Sequence, residues 1–145
     1  MDSLQIAKIL EANPVTSRWF KGCLPSDMLS MPTNFPSSFV VNMDPIQKSG
    51  SHWVAVFIPN ENEVWYFDSL NKDVPLPIDK FLKSFPQFKT NKYPYQSIFT
   101  SSCGLHAIVF IYYMSLGYTF ERYINLLDSM SNTDLFVKTI VNKLI

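Results

Sequence analysis

Cysteine and histidine are scarce in this chain of 145 residues, with only Cys23, Cys103, His52 and His106 present. Two cysteines so far apart are no disulfide framework, and they read as reduced thiols. Two histidines leave few groups that titrate near neutral pH. Charged residues are only 17% against 47% apolar and 15% aromatic. A disordered chain needs the opposite balance. Neither sign of charge prevails, since 12 Lys and Arg face 12 Asp and Glu. A dedicated nucleic-acid binder carries a basic excess, so that class is disfavoured. The longest apolar run, Gly104 to Leu116, falls short of the roughly 20 residues a bilayer requires, so no membrane is expected as partner. At the N-terminus Asp2 precedes the apolar positions and no small-residue cleavage site follows, which is unlike a secretory signal. Repeats and low-complexity tracts are also missing.

The length fits one domain, residues 1–145, able to bury a full core without metal or disulfide staples. None of the ten prolines lies beyond Pro94. The front of the chain should therefore hold strands, turns and short helices, and the back should be mostly helical. Asp2 to Ala12 reads as a helix with Asp2 or Ser3 as cap, ended by Asn13-Pro14. A second short helix is expected over Thr16–Phe20, stopping at Gly22, followed by irregular chain from Leu24 to Pro36. Ser38–Met43, His52–Ile58 and Glu63–Phe67 read as strands, the last two joined as a hairpin through Asn60-Glu61-Asn62. A short helix opens at Pro77, and Lys89–Tyr95 is an edge-strand candidate. The stretch from Cys103 is apolar nearly all round, the pattern of a buried helix, with two more helices over Thr119–Leu127 and Thr133–Leu144. The expected fold is α+β: a central mixed, largely antiparallel sheet, a buried helix starting at Cys103, and further helices packed around it.

Cys103 stands where the polar segment Ser101-Ser102 changes into that helix. Free backbone N–H groups and the positive end of the macrodipole gather there, lowering a thiol pKa and favouring the thiolate. His52 opens the central strand after Gly50-Ser51, and Asp68 ends the next one. A hairpin brings these two residues to one sheet edge, where a carboxylate orients an imidazole and stabilises its cation. Gln96, shortly before Cys103, offers a side-chain amide that could meet an oxyanion. Each residue has a bland reading: a packed thiol, a surface histidine, a turn aspartate, a loop glutamine. Taken together they favour a Cys-His-Asp hydrolase. Cys103-x-x-His106 also has zinc-like spacing, but it would need Cys23 and His52 as distant partners, so no metal is expected. His106 reads as a core or groove-lining histidine and Cys23 as a packing residue.

Gly50-Ser51-His52-Trp53, Tyr66-Phe67-Asp68-Ser69, Gln96 and Ser102-Cys103-Gly104-Leu105 occur in the order His, Asp, Gln, Cys. In this the chain resembles the cysteine-protease clan of adenoviral protease (adenain) and the SUMO-specific and related ubiquitin-like-protein proteases. The short front helices and the Gln96-to-Cys103 spacing are closer to the adenain branch, whose members also occur in virophages and in Polinton or Maverick elements. The resemblance implies that Cys103 is the nucleophile, that His52 is general base and then acid, and that Asp68 orients His52. It further implies that Gln96, with the Cys103 N–H, forms the oxyanion hole, and that Trp53 and Gly104 line the substrate site. It implies a thiol protease that cleaves after glycine in capsid-type precursors of a virus or virus-like element. Such a protein would be a monomer in host cytoplasm or nucleus, or packaged in the virion. Adenoviral relatives carry Glu at the position of Asp68 and use a disulfide-linked peptide and DNA as activators. This chain has no cysteine between Asp68 and Gln96, and its sequence itself requires no cofactor. Its one basic stretch, 72–92, is a weak nucleic-acid signal. The alternatives are a cellular-type SUMO or ubiquitin-like-protein protease, and a catalytically silent adaptor or capsid-associated module.

Overall fold

A five-stranded sheet divides the chain into two unequal apolar layers in the computed structural model, which describes residues 1–44 and 52–145. Helix α1 (Ser3–Ala12) is started by a capping box: the Asp2 carboxylate accepts from Gln5 N at 2.9 Å, and Gln5 Oε1 accepts from Asp2 N at 2.8 Å. The five strands are β1 (Phe20–Pro25), β2 (Ser37–Asn42), β3 (Trp53–Asn60), β4 (Glu63–Phe67) and β5 (Gln87–Thr90), and they lie side by side in chain order. The three central strands pair antiparallel, while β1 on β2 and β5 on β4 are parallel. A parallel pair needs a crossover, and α2 (Leu76–Lys83) supplies the one between β4 and β5.

Strand β3 is apolar almost throughout because both of its faces are covered. Val54, Val56 and Ile58 meet Val64 and Tyr66 of β4 and Ile78 and Leu82 of α2. Ala55 and Phe57 point the other way, with Phe67, towards α1 and the helices α3 (Cys103–Ser115), α4 (Phe120–Asp128) and α5 (Thr133–Leu144). Helix α3 lies in the middle of this layer, and Ile108, Val109, Phe110 and Ile111 are fully buried. Each such side chain contributes roughly 1.5–3 kcal/mol on leaving water. Phe67 stacks on Phe110 at 5.1 Å between ring centroids. That contact fixes the end of β4, and so Asp68, against the helix that begins at Cys103.

The front of the chain departs from expectation. Residues 14–19 form turns, with Thr16 Oγ1 donating to Leu10 O at 2.6 Å to close α1. The segment expected to finish a short helix instead enters β1, so part of the Leu24–Pro36 segment is also strand. Gly22 (φ 144°) sits beside an irregularity in the β1–β2 register. Propensity read over so few residues missed a parallel edge strand that is fixed by its partner β2. The expected edge strand over Lys89–Tyr95 starts and ends earlier, as β5, because the side chain of Asn91 turns inward to hydrogen-bond.

Candidate active site

The β3–β4 hairpin sets the first half of the site. With Ala55 opposite Phe67, the residue before β3 and the residue after β4 reach the same edge. There His52 Nε2 lies 2.5 Å from Asp68 Oδ1, both side chains being buried. Asp68 is held on all sides. Its Oδ1 also accepts from Leu70 N at 2.9 Å, and its Oδ2 accepts from Lys72 N at 2.8 Å. Asn91 brackets its backbone: Asp68 N donates to Asn91 Oδ1 at 3.0 Å, and Asn91 Nδ2 donates to Asp68 O at 2.7 Å. Burial works to raise the Asp68 pKa, but the bond and charge of His52 and the two backbone N–H groups outweigh it and hold the carboxyl below its ordinary value.

Cys103 is the first residue of α3 and is 8% exposed. The His52 imidazole and the backbone N–H groups of Trp53 and Gly104 lie near its thiol and favour the thiolate. Desolvation would raise its pKa; those donors and the charge of His52 reverse the sign and lower it. Burial likewise works against the imidazolium, yet Asp68 on Nε2 and Cys103 on the other side raise His52 to about 9. The two shifts are one effect: thiolate and imidazolium stabilise each other in a partly dry site. Cys23, half-buried in β1, is pushed up to about 12, by burial first and then by Glu11.

These shifts have a direct chemical consequence. Iodoacetamide should label Cys103 at neutral pH and leave Cys23 untouched until far higher pH. Activity that depends on the pair should appear as pH rises through the lowered Cys103 pKa and disappear as pH passes about 9, where His52 loses its proton. Mass spectrometry of the labelled protein and a pH–rate profile check both limbs. Labelling of Cys23 first would overturn the assignment.

Gln96 is buried at the far side of the loop that leads to Cys103. Its Oε1 accepts from Ser69 Oγ at 2.6 Å, which fixes which way the amide points. Its Nε2 donates to Thr100 O at 3.1 Å, and an amide nitrogen has a second N–H to give. Ser69 O accepts from both Tyr95 N and Gln96 N, at 2.8 and 3.0 Å. Ser69 thus ties the Gln96 segment to the residue next to Asp68.

The remaining expected site residues have mixed surroundings. Trp53 is half-buried beside His52, and its Nε1 donates to Met1 O at 3.2 Å. A Cβ on Gly104 would meet Ile6 Cδ1 at 3.3 Å and Met1 side-chain atoms at 3.5 Å. The close approach that glycine permits here is therefore that of α1, and the side facing a substrate is not what the side chain would fill. Gly50 and Ser51, named with His52 in the sequence motif, lie outside the described residues. His106 is fully buried, and its Nε2 lies 2.8 Å from Asp134 Oδ1. Burial lowers its pKa against the pull of Asp134, so the neutral ring donates from Nε2. In the lysine-rich stretch, Lys83 pairs with Asp79, and Lys89 pairs with Glu63 and Glu121. Among the described residues no group of His, Cys, Asp and Glu could hold a metal ion, and no helix is long and apolar enough to cross a membrane.

Sequence reading missed Ser69, Asn91 and Asp134 as parts of the site. Ser69 had a signal, since it directly follows Asp68. Asn91 and Asp134 had none: a polar residue between lysines and an acidic residue in a first helical turn are the commonest of surface patterns.

The architecture is an α+β sheet with a cysteine at the start of its buried helix, beside a histidine–aspartate pair. No family model matches the chain. The chain is 32% identical over 98 residues to a protein of Acanthamoeba polyphaga mimivirus provisionally named a thiol protease, a match spanning 59% of this chain and 32% of that protein. Among solved structures it superposes on a protease of African swine fever virus with a TM-score of 0.67 and 17% identity, covering 99% of this chain and 66% of that one. It also superposes on the central domain of an uncharacterised Legionella pneumophila protein, with a TM-score of 0.55 and 13% identity over all of this chain and 98% of that domain. The chain thus has the fold of the African swine fever virus protease. It spans about a third of the length of its curated relative and just under two thirds of the viral structure.

Proposed function

We propose that this protein is a cysteine endopeptidase in which Cys103 is the nucleophile, His52 the proton carrier, Asp68 its orienting carboxylate and Gln96 an oxyanion donor. The observation that carries the reading is the buried chain from Asp68 through His52 to Cys103, with the thiol pKa lowered and the imidazole pKa raised. A packing cysteine has no reason for either shift. The mimivirus relative and the fold of the African swine fever virus protease support the same class.

The reaction follows from the groups. The Cys103 thiolate attacks the scissile carbonyl carbon, and the electron pair of the C=O moves onto oxygen. The free N–H of the Gln96 amide and the Cys103 backbone N–H stabilise that oxyanion. The C–N bond breaks as the His52 imidazolium gives its proton to the leaving amine, leaving a thioester on Cys103. Neutral His52 then takes a proton from water, whose oxygen attacks the thioester. The C–S bond breaks, the acid product leaves, and thiolate and imidazolium are restored. Asp68 keeps Nε2 engaged throughout, so that the other ring nitrogen always faces the thiol.

The proposed substrates are structural protein precursors of a virus or virus-like element, cut after glycine in an extended segment. Trp53 carries the specificity argument: it follows His52 in the chain and its ring is tied to Met1 O, so an indole held there would narrow the groove for the residue before the cut. Any peptide activator would bind without a disulfide, since no cysteine stands between Asp68 and Gln96. DNA is a weak candidate, because two lysines of the 72–92 stretch are already ion-paired. A peptide library varied at the residue before the cut tests the pocket. Glycine should be preferred, alanine turned over more slowly, and leucine and phenylalanine rejected. Equal turnover of glycine, leucine and phenylalanine would refute the narrow groove, and preference for folded SUMO or ubiquitin over peptides would favour the cellular-type alternative.

A further inference from the structure

We propose that Asp134 is a positioning residue: from the first turn of α5 it holds the segment 97–102 and thereby aims the Gln96 amide at the oxygen of the carbonyl attacked by Cys103. The proposal rests on the functional reading above. It starts from how little else secures that segment. Ile98 and Phe99 are 81% and 90% exposed, so no apolar burial anchors the loop. Its other bonds are short-range: Thr100 N and Thr100 Oγ1 both donate to Ser97 O, and Thr100 O accepts from Gln96 Nε2. Asp134 joins it to the body of the protein. Its Oδ2 accepts from Ser97 N at 3.0 Å, and its Oδ1 accepts from Ser102 Oγ at 2.7 Å and His106 Nε2 at 2.8 Å.

Two details make this more than a surface contact. The residue before Asp134, Thr133, donates from Oγ1 to Tyr95 O. Helix α5 therefore grips the chain on both sides of Gln96, at the carbonyl before it and the N–H after it. Ser102, in turn, is the N-cap of α3 but makes no side-chain bond to its own helix; its hydroxyl goes to Asp134 instead. One carboxylate thus reaches the residue after Gln96, the residue before Cys103, and one turn into α3 through His106. The distance between the amide and the thiol is set across these bonds. Ser69 fixes the rotation of the amide, and Asp134 fixes where its backbone sits. Misplacing a catalytic group by about 1 Å costs on the order of 10²-fold in rate.

The test is a double-mutant cycle on a cleavable glycine peptide, with three readouts: kcat, KM and the rate of Cys103 alkylation. Asp134→Ala should lower kcat by roughly 10- to 100-fold with KM and alkylation nearly unchanged. Ser102→Ala, which removes one of the three bonds and leaves His106 partnered, should give a smaller loss of the same kind, so the proposal does not depend on Asp134→Ala folding. In a Gln96→Ala background, Asp134→Ala should cost little more, because the group it positions is gone. Additive losses in that background, or slowed alkylation of Cys103, would overturn the positioning role while leaving the peptidase assignment intact. A wild-type protein without Cys103-dependent hydrolysis would instead overturn the functional reading, and this proposal with it.

Discussion

Cys103→Ala should reduce peptide hydrolysis to background, a loss of about 10⁴-fold or more, without unfolding the protein. The rate loss follows because no other group near the scissile carbon can form the covalent intermediate: the other thiol, Cys23, sits in β1 with its pKa pushed up to about 12. The fold should survive because alanine keeps the Cβ, suits the start of a helix, and removes a single sulfur at the first residue of α3. A second consequence separates this reading from a packing role. Without the thiolate, His52 loses one of the two partners that raise its pKa, so its titration should move down from about 9 while Asp68 remains. NMR titration of the imidazole, run beside a peptide assay and a melting curve, measures all three effects. Retained hydrolysis, or an unmoved His52, would sink the assignment. Cys23→Ala is the control, expected to leave the rate unchanged.

Gln96→Ala should lower kcat by about 10²–10³-fold and leave KM nearly constant, since an oxyanion donor contributes only once the carbonyl oxygen carries charge. Gln96→Glu should be at least as damaging. A carboxylate there would repel the developing negative charge; one oxygen would still accept from the Ser69 hydroxyl, but the other would face the Thr100 carbonyl with no proton to donate. An effect confined to KM would place Gln96 in substrate recognition. The pair of variants is informative because the Gln96 backbone is tied to Ser69 O on one side and bracketed by α5 on the other. The backbone at Gln96 should therefore keep its path when the side chain changes, even though Thr100 O loses its bond from Gln96 Nε2.

Much of this molecule was legible in the residues alone, and the reasons can be named. Strand β3 is apolar through Val54, Ala55, Val56, Phe57 and Ile58 because both faces are covered, and such a run between turn signals has few other solutions. The short polar link to β4 makes a hairpin, and a hairpin fixes where its two ends meet. His52 and Asp68 follow from that geometry. Helix α3 announces itself by being apolar all round, and its boundary at Ser102-Cys103 is a change in composition that any window detects. These are local signals, in which the period of the pattern and the identity of the end residue suffice.

What the sequence could not determine is whatever depends on a partner distant in the chain. Strand β1 exists because β2 offers it a parallel edge, and FKGCLP by itself has too little β-propensity to say so. Asn91 looks like one polar residue among lysines until β5 lies beside β4 and its amide reaches the backbone of Asp68. Gly104 read as room for a substrate, whereas α1 packs against the side where its Cβ would be. Asp134 read as an acidic residue in a helix's first turn, favoured by the dipole, until α5 packed on α3 and brought it to Ser97, Ser102 and His106. Sequence patterning determined the helix that begins at Cys103, the hairpin and the residues at their ends, because hydrophobic period and chain connectivity are local properties. Only the tertiary structure decided which polar groups hold those residues in place, because a buried donor is satisfied by whichever acceptor the packing brings within 3 Å, however far along the chain it lies.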